Sequence, residues 1–273
     1  AASPGPCLRT AIMGAHLLNR AGATDPLADM ARGDYRVGIA FTDFLGARKG
    51  RVTEVNGQLS GQSPYALDAD ADAYSVALTD GRVFMVETEH LARKPLTTID
   101  MTRSVCELNF NQTPACLVTD DAELVRDTVY RGRSIQAADT LGAAQYMLDQ
   151  AVAYSLDRKQ FNRAIGSFQA VKHMCAEMAS QLEPCRAFAW YAGHAFDESA
   201  DDAATTACHA NAHLAEAGQF VAKTSTEVHG GMGFTDLVGP HYWLKRIGFH
   251  RQLLGSPEAV RHEIALLQGL CTS

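Results

Sequence analysis

The sequence predicts an α+β protein, and three observations carry that reading. Apolar residues recur at helical spacing near the start, short alternating or β-branched runs fill the middle, and long stripes spaced by threes and fours run from about residue 120 to the end. At 273 residues the chain can bury a substantial core and hold one large or two smaller domains. The patterning divides it into a short helical segment (1–34), a compact antiparallel, barrel-like β-domain (35–118) and a helical domain of four-helix-bundle type (119–273).

Residues 8–33 place Leu8, Ile12, Ala15 and Leu18, and then Leu27, Met30 and Ala31, at the spacing of one and a half to two helices. Asp25 and Pro26 read as an N-cap and a first-turn proline, and Gly33 as a stop. From 35 to about 118 the runs RVGIAF, GRVTEV, YSVALT, GRVFMVET and SVCELNF, broken by Gly, Asp and Asn, read as strands. Helical spacing returns near Asp120, with breaks at 162–166, near 197–202 and around 230–240. Phe168, Val171, Cys175, Met178, Leu182, Cys185, Ala189 and Ala192 form the seam of a long helix packed in a bundle. Ser256, Pro257 and Glu258 supply an N-cap, a first-turn proline and a first-turn acid for the last helix.

Composition narrows the function. A net charge of -7, with no run of Lys and Arg, argues against a nucleic-acid binder. Seven cysteines (Cys7, Cys106, Cys116, Cys175, Cys185, Cys208, Cys271) form an odd set without a CxxC pair or metal-finger spacing. They read as reduced, mostly buried thiols of a cytoplasmic protein. No apolar run of membrane-spanning length and no basic-plus-apolar leader is present, which points to the same compartment. The opening AASPGP reads as the edge of something longer or trimmed.

The residues able to carry chemistry centre on 141–173, where two helices meet at a polar turn holding Arg158, Phe161 and, eleven positions after the arginine, Gln169. Alone, Arg158 fits either a charged fork for an anion or a helix C-terminal arginine satisfying carbonyls. Glycines such as Gly230, Gly231 and Gly233 let backbone approach a phosphate or ring closely, although Gly-Gly-x-Gly by itself is only a turn signal. His209 and His213 are four apart on a helix, a metal-ligand spacing, but no third ligand is evident and packing or surface roles fit them better. The spacing of Asp70, Asp72 and Asp80 does not make a calcium loop, and no nucleophile elbow is present.

Tyr154, Arg158, Phe161 and Gln169, the downstream segment 227–234 (EVHGGMGF), and Asp100, Thr102 and Arg103 (DMTR) together resemble the acyl-CoA dehydrogenase family over nearly the whole chain. In that family a helix ends Tyr, three or so residues, Arg, two residues, Phe-Gly, and the next helix begins with Gln. Here Asn162 stands at the usual Gly and Glu227 at a usual Gln. The resemblance implies FAD as cofactor. Arg158 would offer a fork to its pyrophosphate and Phe161 would pack beside the adenine or ribose end. Gln169 would hydrogen-bond the same dinucleotide, with Glu227, Gly230 and Gly231 completing the contact across a subunit interface. Arg133, nine residues before Gly142, would lie near the thioester end of the substrate pocket; a solvated first-turn arginine is the other reading. Residues 1–34 would be the remnant of a longer N-terminal helical domain.

Two departures decide what this chain is expected to do. The family removes an α-proton to a Glu carboxylate while a β-hydride goes to the flavin. That Glu stands either directly before a Gly some two dozen residues after the Gly-Gly motif, here Leu254, or directly before the matched Arg, here Gly132. Neither can take a proton, so no catalytic residue is expected in this chain. The family's β-domain also carries Thr-Glu-Pro with Gly-Ser-Asp, and later Trp-Ile-Thr or Trp-Ile-Ser, against the flavin ring. Here those stretches read Phe41-Thr42-Asp43-Phe44-Leu45-Gly46 and Pro64-Tyr65-Ala66, with Ala66 at the hydroxyl position.

The expectation is a non-catalytic subunit of a heteromeric acyl-CoA dehydrogenase, resembling the unequal subunits of actinobacterial enzymes that shorten steroid side chains. A homologous catalytic subunit would supply the Glu and most of the FAD site in an α2β2 heterotetramer. The substrate would be an acyl-CoA thioester, a steroid side-chain CoA by that analogy. The alternatives are an active homo-oligomer with a displaced base, for instance Asp139 or Glu258, and a non-enzymatic interaction module of the same fold.

Overall fold

A computed structural model describes residues 10–46 and 51–271, so the readings on Cys7 and Leu8 lie outside the described residues. The chain falls into two compact units, one up to Gly132 and one from Arg133 onward.

The first unit opens with α1 (Thr10–Arg20) and α2 (Leu27–Arg32). Helix α1 buries Thr10, Met13, Gly14, Leu17 and Leu18, whereas Ile12 is 44% exposed. Of the expected 12, 15, 18 positions, Leu18 is buried, Ala15 is partly so and Ile12 is exposed. Positions 10, 13, 14, 17 and 18 form an unbroken i, i+3, i+4, i+7, i+8 set, which gives the wider apolar contact. Gly33 ends α2 in the left-handed conformation as expected, but Pro26 occupies the N-cap position itself and no side chain caps this helix.

The strands are β1 (Val37–Ala40), β2 (Arg51–Val55), β3 (Gln58–Leu67), β4 (Ala73–Ala77), β5 (Val83–Glu87), β6 (Ala92–Leu96), β7 (Val105–Pro114) and β8 (Cys116–Thr119). Their order is β6-β7-β3-β1-β4-β5-β8, with β2 paired to β3. The sheet is not wholly antiparallel, because β1 and β4 run parallel, Val37 opposite Ala73 through Ala40 opposite Val76. The chain between them is a long crossover containing β2 and β3, which returns it in the same direction. The ten-residue β3 was not marked by the sequence runs. It contains Gly61 and Pro64, and its pairing with β7 shifts register twice, so no clean alternation is present to be read. Tyr74, Leu59, Val86, Cys106 and Leu108 form the centre of this unit's core.

Helix α3 (Ala122–Asp157) contributes its first part to the first unit and, from Arg133, its remainder to the second. The second unit continues with α4 (Gln169–Asp197), α5 (Ala203–His229), α6 (Pro240–Leu253) and α7 (Pro257–Leu267). The expected seam of α4 is observed: Met178, Leu182, Cys185, Ala189 and Ala192 are buried, with Val171 and Cys175 partly so. They meet Ala144, Met147 and Ala151 of α3, Leu214 and Val221 of α5 and Ile247 of α6 in one core. Ser256 caps α7, its hydroxyl accepting the Ala259 N–H at 3.3 Å. Cys106, Cys185 and Cys208 are buried free thiols, while Cys116 and Cys271 are exposed. Among the described residues no helix is long and apolar enough to cross a membrane, and no cluster of three metal-binding side chains occurs.

Candidate functional site

The break between α3 and α4 is wider than the sequence marks and has its own structure. Strands β9 (Lys159–Gln160) and β10 (Arg163–Ala164) form a hairpin whose two-residue loop is Phe161-Asn162. Both loop residues have positive φ, 51° and 61°, as the primed turns that match strand twist require. Asn accepts this backbone readily, and a bulky aromatic seldom does. The turn leaves Phe161 87% exposed, edge-on to the Phe168 ring at 6.1 Å. Arg163 in turn lies over the Phe168 ring, 3.8 Å from its centroid.

Arg158 stands at the start of this hairpin. Its backbone is engaged, the N–H with Tyr154 O and the carbonyl with the Ile165 N–H, both at 2.8 Å. Its exposed guanidinium makes no hydrogen bond or ion pair among the described residues, so it is not an arginine satisfying helix carbonyls. It lines a cleft of about 420 Å³ together with Tyr154, Gln160, His229, Gly230 and Gly231.

The opposite wall of the cleft is built by the end of α5. Gly230 has φ 59° and ψ -140°, a backbone essentially confined to glycine, and the chain then makes a tight 3-10 turn over Gly230–Phe234. A Cβ on Gly233 would lie 2.8 Å from Thr226 O, so this glycine is needed for the turn to close on α5. A Cβ on Gly231 would meet nothing within 4 Å, which leaves that backbone open toward the cleft. His229 is 3% exposed, bonded through Nδ1 to Ser225 O at 2.7 Å and stacked on Tyr154 at 4.6 Å.

The structure therefore brings Arg158, Gly230 and Gly231 together across some seventy residues of sequence. Gln169, at the first position of α4, and Glu227, on α5, are exposed but do not line the cleft. Tyr154, Gln160 and His229 were not among the expected site residues. Their signal was adjacency: Gln160 lies two residues from Arg158, and His229 directly precedes Gly230.

Arg133 departs from the solvated reading of it. It lies eleven residues inside α3 and is 3% exposed, so it is not a solvated first-turn arginine. Its fork is engaged within the chain by Leu254 O at 3.0 Å, Cys208 Sγ at 3.1 Å and Glu263 at 2.7 Å. Leu254 itself is buried, and Gly132 lies within α3.

The displaced-base candidates are also engaged. Asp139 receives two bonds from Arg246, at 2.7 and 2.9 Å, and lies 3.2 Å from His250 Nε2. Glu258, beside Arg251 at 3.2 Å, is held below the usual carboxylate range by its own backbone N–H and the Ser256 hydroxyl. A general base needs the opposite shift, toward neutrality.

In the first unit, Asp43 accepts the Val52 N–H at 2.5 Å, and burial pushes its carboxyl upward. Thr42 lies 3.1 Å from Ser63 and donates to Pro64 O. Ala66 is fully buried in the β-domain core, so a residue at 66 does not face outward. The outward residue of that tripeptide is Tyr65, 60% exposed with φ 62° at the register shift in β3.

Residues 122–266 match the family described as Acyl-CoA dehydrogenase, C-terminal domain. The acyl-CoA dehydrogenase IpdE2 of Mycolicibacterium smegmatis is 30% identical over 256 residues, 93% of this chain and 70% of that protein. IpdE2 of Mycobacterium tuberculosis is 31% identical over 200 residues, 72% of this chain and 57% of that protein. Among solved structures, the Tcur3481-Tcur3483 steroid ACAD G363A variant shares the fold with a TM-score of 0.85 at 24% identity, covering 97% of this chain and 76% of that one. Butyryl-CoA dehydrogenase from Megasphaera elsdenii gives 0.85 at 19% identity, with 96% and 76% covered. The sequence match over the helical unit and the similarity to IpdE2 along almost the full length establish that this chain belongs to the acyl-CoA dehydrogenase family.

Proposed function

We propose that the chain is the non-catalytic subunit of a heteromeric, FAD-dependent acyl-CoA dehydrogenase, and that it completes the FAD site of a homologous catalytic subunit. The observation that carries this reading is Arg158, an arginine fork with no partner among the described residues of its own chain, at the rim of a cleft with open glycine backbone. Phosphate recognition uses that combination of a planar charged fork and close backbone approach.

These residues fit one end of a flavin dinucleotide. Arg158 would face the pyrophosphate, and the exposed ring of Phe161 and amide of Gln169 would reach across the interface, with Gly230, Gly231 and Glu227 beside them. When bound, FAD supplies the hydride acceptor. This chain's own contribution is binding and orientation, because Leu254 and Gly132 cannot hold a proton and Asp139 is locked in ion pairs.

An acyl-CoA thioester would be oxidised between its α and β carbons, with the Glu base on the partner. The Tcur3481-Tcur3483 structure is that of a steroid enzyme named for two components, which supports a steroid side-chain thioester and a hetero-oligomer, α2β2 in our reading. A cytoplasmic location belongs to the same reading.

The test is flavin content per chain, measured for this protein purified alone and after co-expression with a homologous subunit that carries the Glu. No flavin alone and about one FAD per pair in the complex is the expected result. One FAD per chain in the protein purified alone, with turnover of an acyl-CoA thioester, would overturn the proposal.

A further inference from the structure

A buried positive charge sits against the turn between α6 and α7. Arg133 is 3% exposed, and a guanidinium removed from water to that degree needs both its donors and its charge matched. Two of its contacts supply no charge. Leu254 O is a backbone carbonyl, and burial pushes the Cys208 thiol up to about 11, so the sulfur is neutral at ordinary pH. The negative charge comes from α7, where Glu263 Oε2 lies 2.7 Å from the same terminal nitrogen that contacts Cys208.

The guanidinium also lies along the backbone of the turn. Nε donates to Leu254 O at 3.0 Å, and a Cβ built on Gly255, whose φ is 106°, would stand 3.3 Å from the other terminal nitrogen. A single arginine thus ties α3, the 254–255 turn and α7 together. If Glu263 were lost, the buried guanidinium would lose that carboxylate.

We propose that Glu263 is a positioning residue: it neutralises Arg133 and so fixes the 254–255 turn with no acid in the turn itself. This deepens the helper-subunit reading and rests on it only for its meaning, since it explains how the turn stays ordered with Leu254 where the family places its base. Glu263 brings a carboxylate to this corner from α7.

Relocating that carboxylate tests the idea. Melting temperatures would be measured on the full chain for wild type, Glu263→Gln, Leu254→Glu and the double variant. Glu263→Gln should lower the melting temperature by roughly 5–10 °C, the scale for breaking a buried pair whose acid is partly solvated. Leu254→Glu alone should also lower it, because Leu254 is 2% exposed and a second acid there would find the guanidinium already taken. The double variant should recover most of the Glu263→Gln loss, because residue 254 already meets the guanidinium through its backbone carbonyl, at 3.0 Å. Packing alone gives no such rescue.

A double variant no better than the sum of the singles overturns the proposal, as does a Glu263→Gln shift within about 1 °C. Should the Leu254 variants fail to fold, the cycle of Arg133→Met with Glu263→Gln replaces them. Removing both charges should then cost clearly less than the two singles combined, and additivity refutes the pairing role. Neither melting experiment depends on flavin, whereas failure of the helper-subunit reading would show as turnover by the chain alone.

Discussion

Replacing Arg158 with Ala gives the sharpest separation between binding and folding. Its guanidinium has no partner among the described residues of its own chain and is exposed, so removing it should change the stability of this subunit by no more than about 0.5 kcal/mol. In the proposed complex the same group faces a pyrophosphate. Charge-assisted hydrogen bonds of that kind contribute about 1.5–3 kcal/mol each, which corresponds to roughly a ten- to hundredfold loss of FAD affinity. The assay is FAD titration of the flavin-stripped complex of Arg158→Ala with its catalytic partner, alongside a melting curve of the isolated subunit. Arg158→Lys should recover only part of the affinity, because an ammonium keeps the charge and loses the planar fork. Unchanged FAD affinity would refute the cross-subunit role. A melting temperature lowered by several degrees would show that Arg158 serves its own fold.

Gly233→Ala should lower the melting temperature and weaken FAD retention together, because the added methyl would stand 2.8 Å from Thr226 O and force the 230–234 turn off α5; a variant with wild-type melting and flavin content contradicts this. The first unit should lose stability in acid through Asp127. Burial opposes its ionisation, but hydrogen bonds from His16 and Arg131, at 2.7 and 2.8 Å, outweigh it and hold the carboxyl below its usual range. Its folded pKa lies below the unfolded value of about 3.9, so the pairing acts fully above that pH and is lost as pH falls through the folded pKa. The effect is modest because the carboxylate is more than a third exposed. Melting temperature against pH should therefore fall less steeply below about pH 4 in Asp127→Asn than in wild type, and parallel curves would contradict the assignment.

The helical unit was the most legible part of the sequence because its signals are local. The α4 seam repeats every three or four residues, and Ser256-Pro257-Glu258 caps α7 through contacts within one turn. The β-domain was less legible. Strand β3 is polar and interrupted by Gly61 and Pro64, and the parallel pairing of β1 with β4 depends on where a long crossover returns, which no local pattern encodes. The same division holds at the candidate site. Residue types and spacing around Arg158 were sufficient to name the motif, and Leu254 and Gly132 could be seen to lack an acid from identity alone.

Only the tertiary structure decided which of those side chains are available. Arg158 and Arg133 are both helix-associated arginines in the sequence, and nothing within a few residues of either says which guanidinium is buried. One stands unpaired among the described residues, beside a cleft whose other wall lies some seventy residues away. The other is enclosed by Cys208, Leu254 and Glu263, contributed by three later segments. Sequence by itself determined the chemical groups and the helices that carry them. Burial and charge pairing came from long-range contacts, and these left Arg158 exposed while burying Arg133 against Glu263.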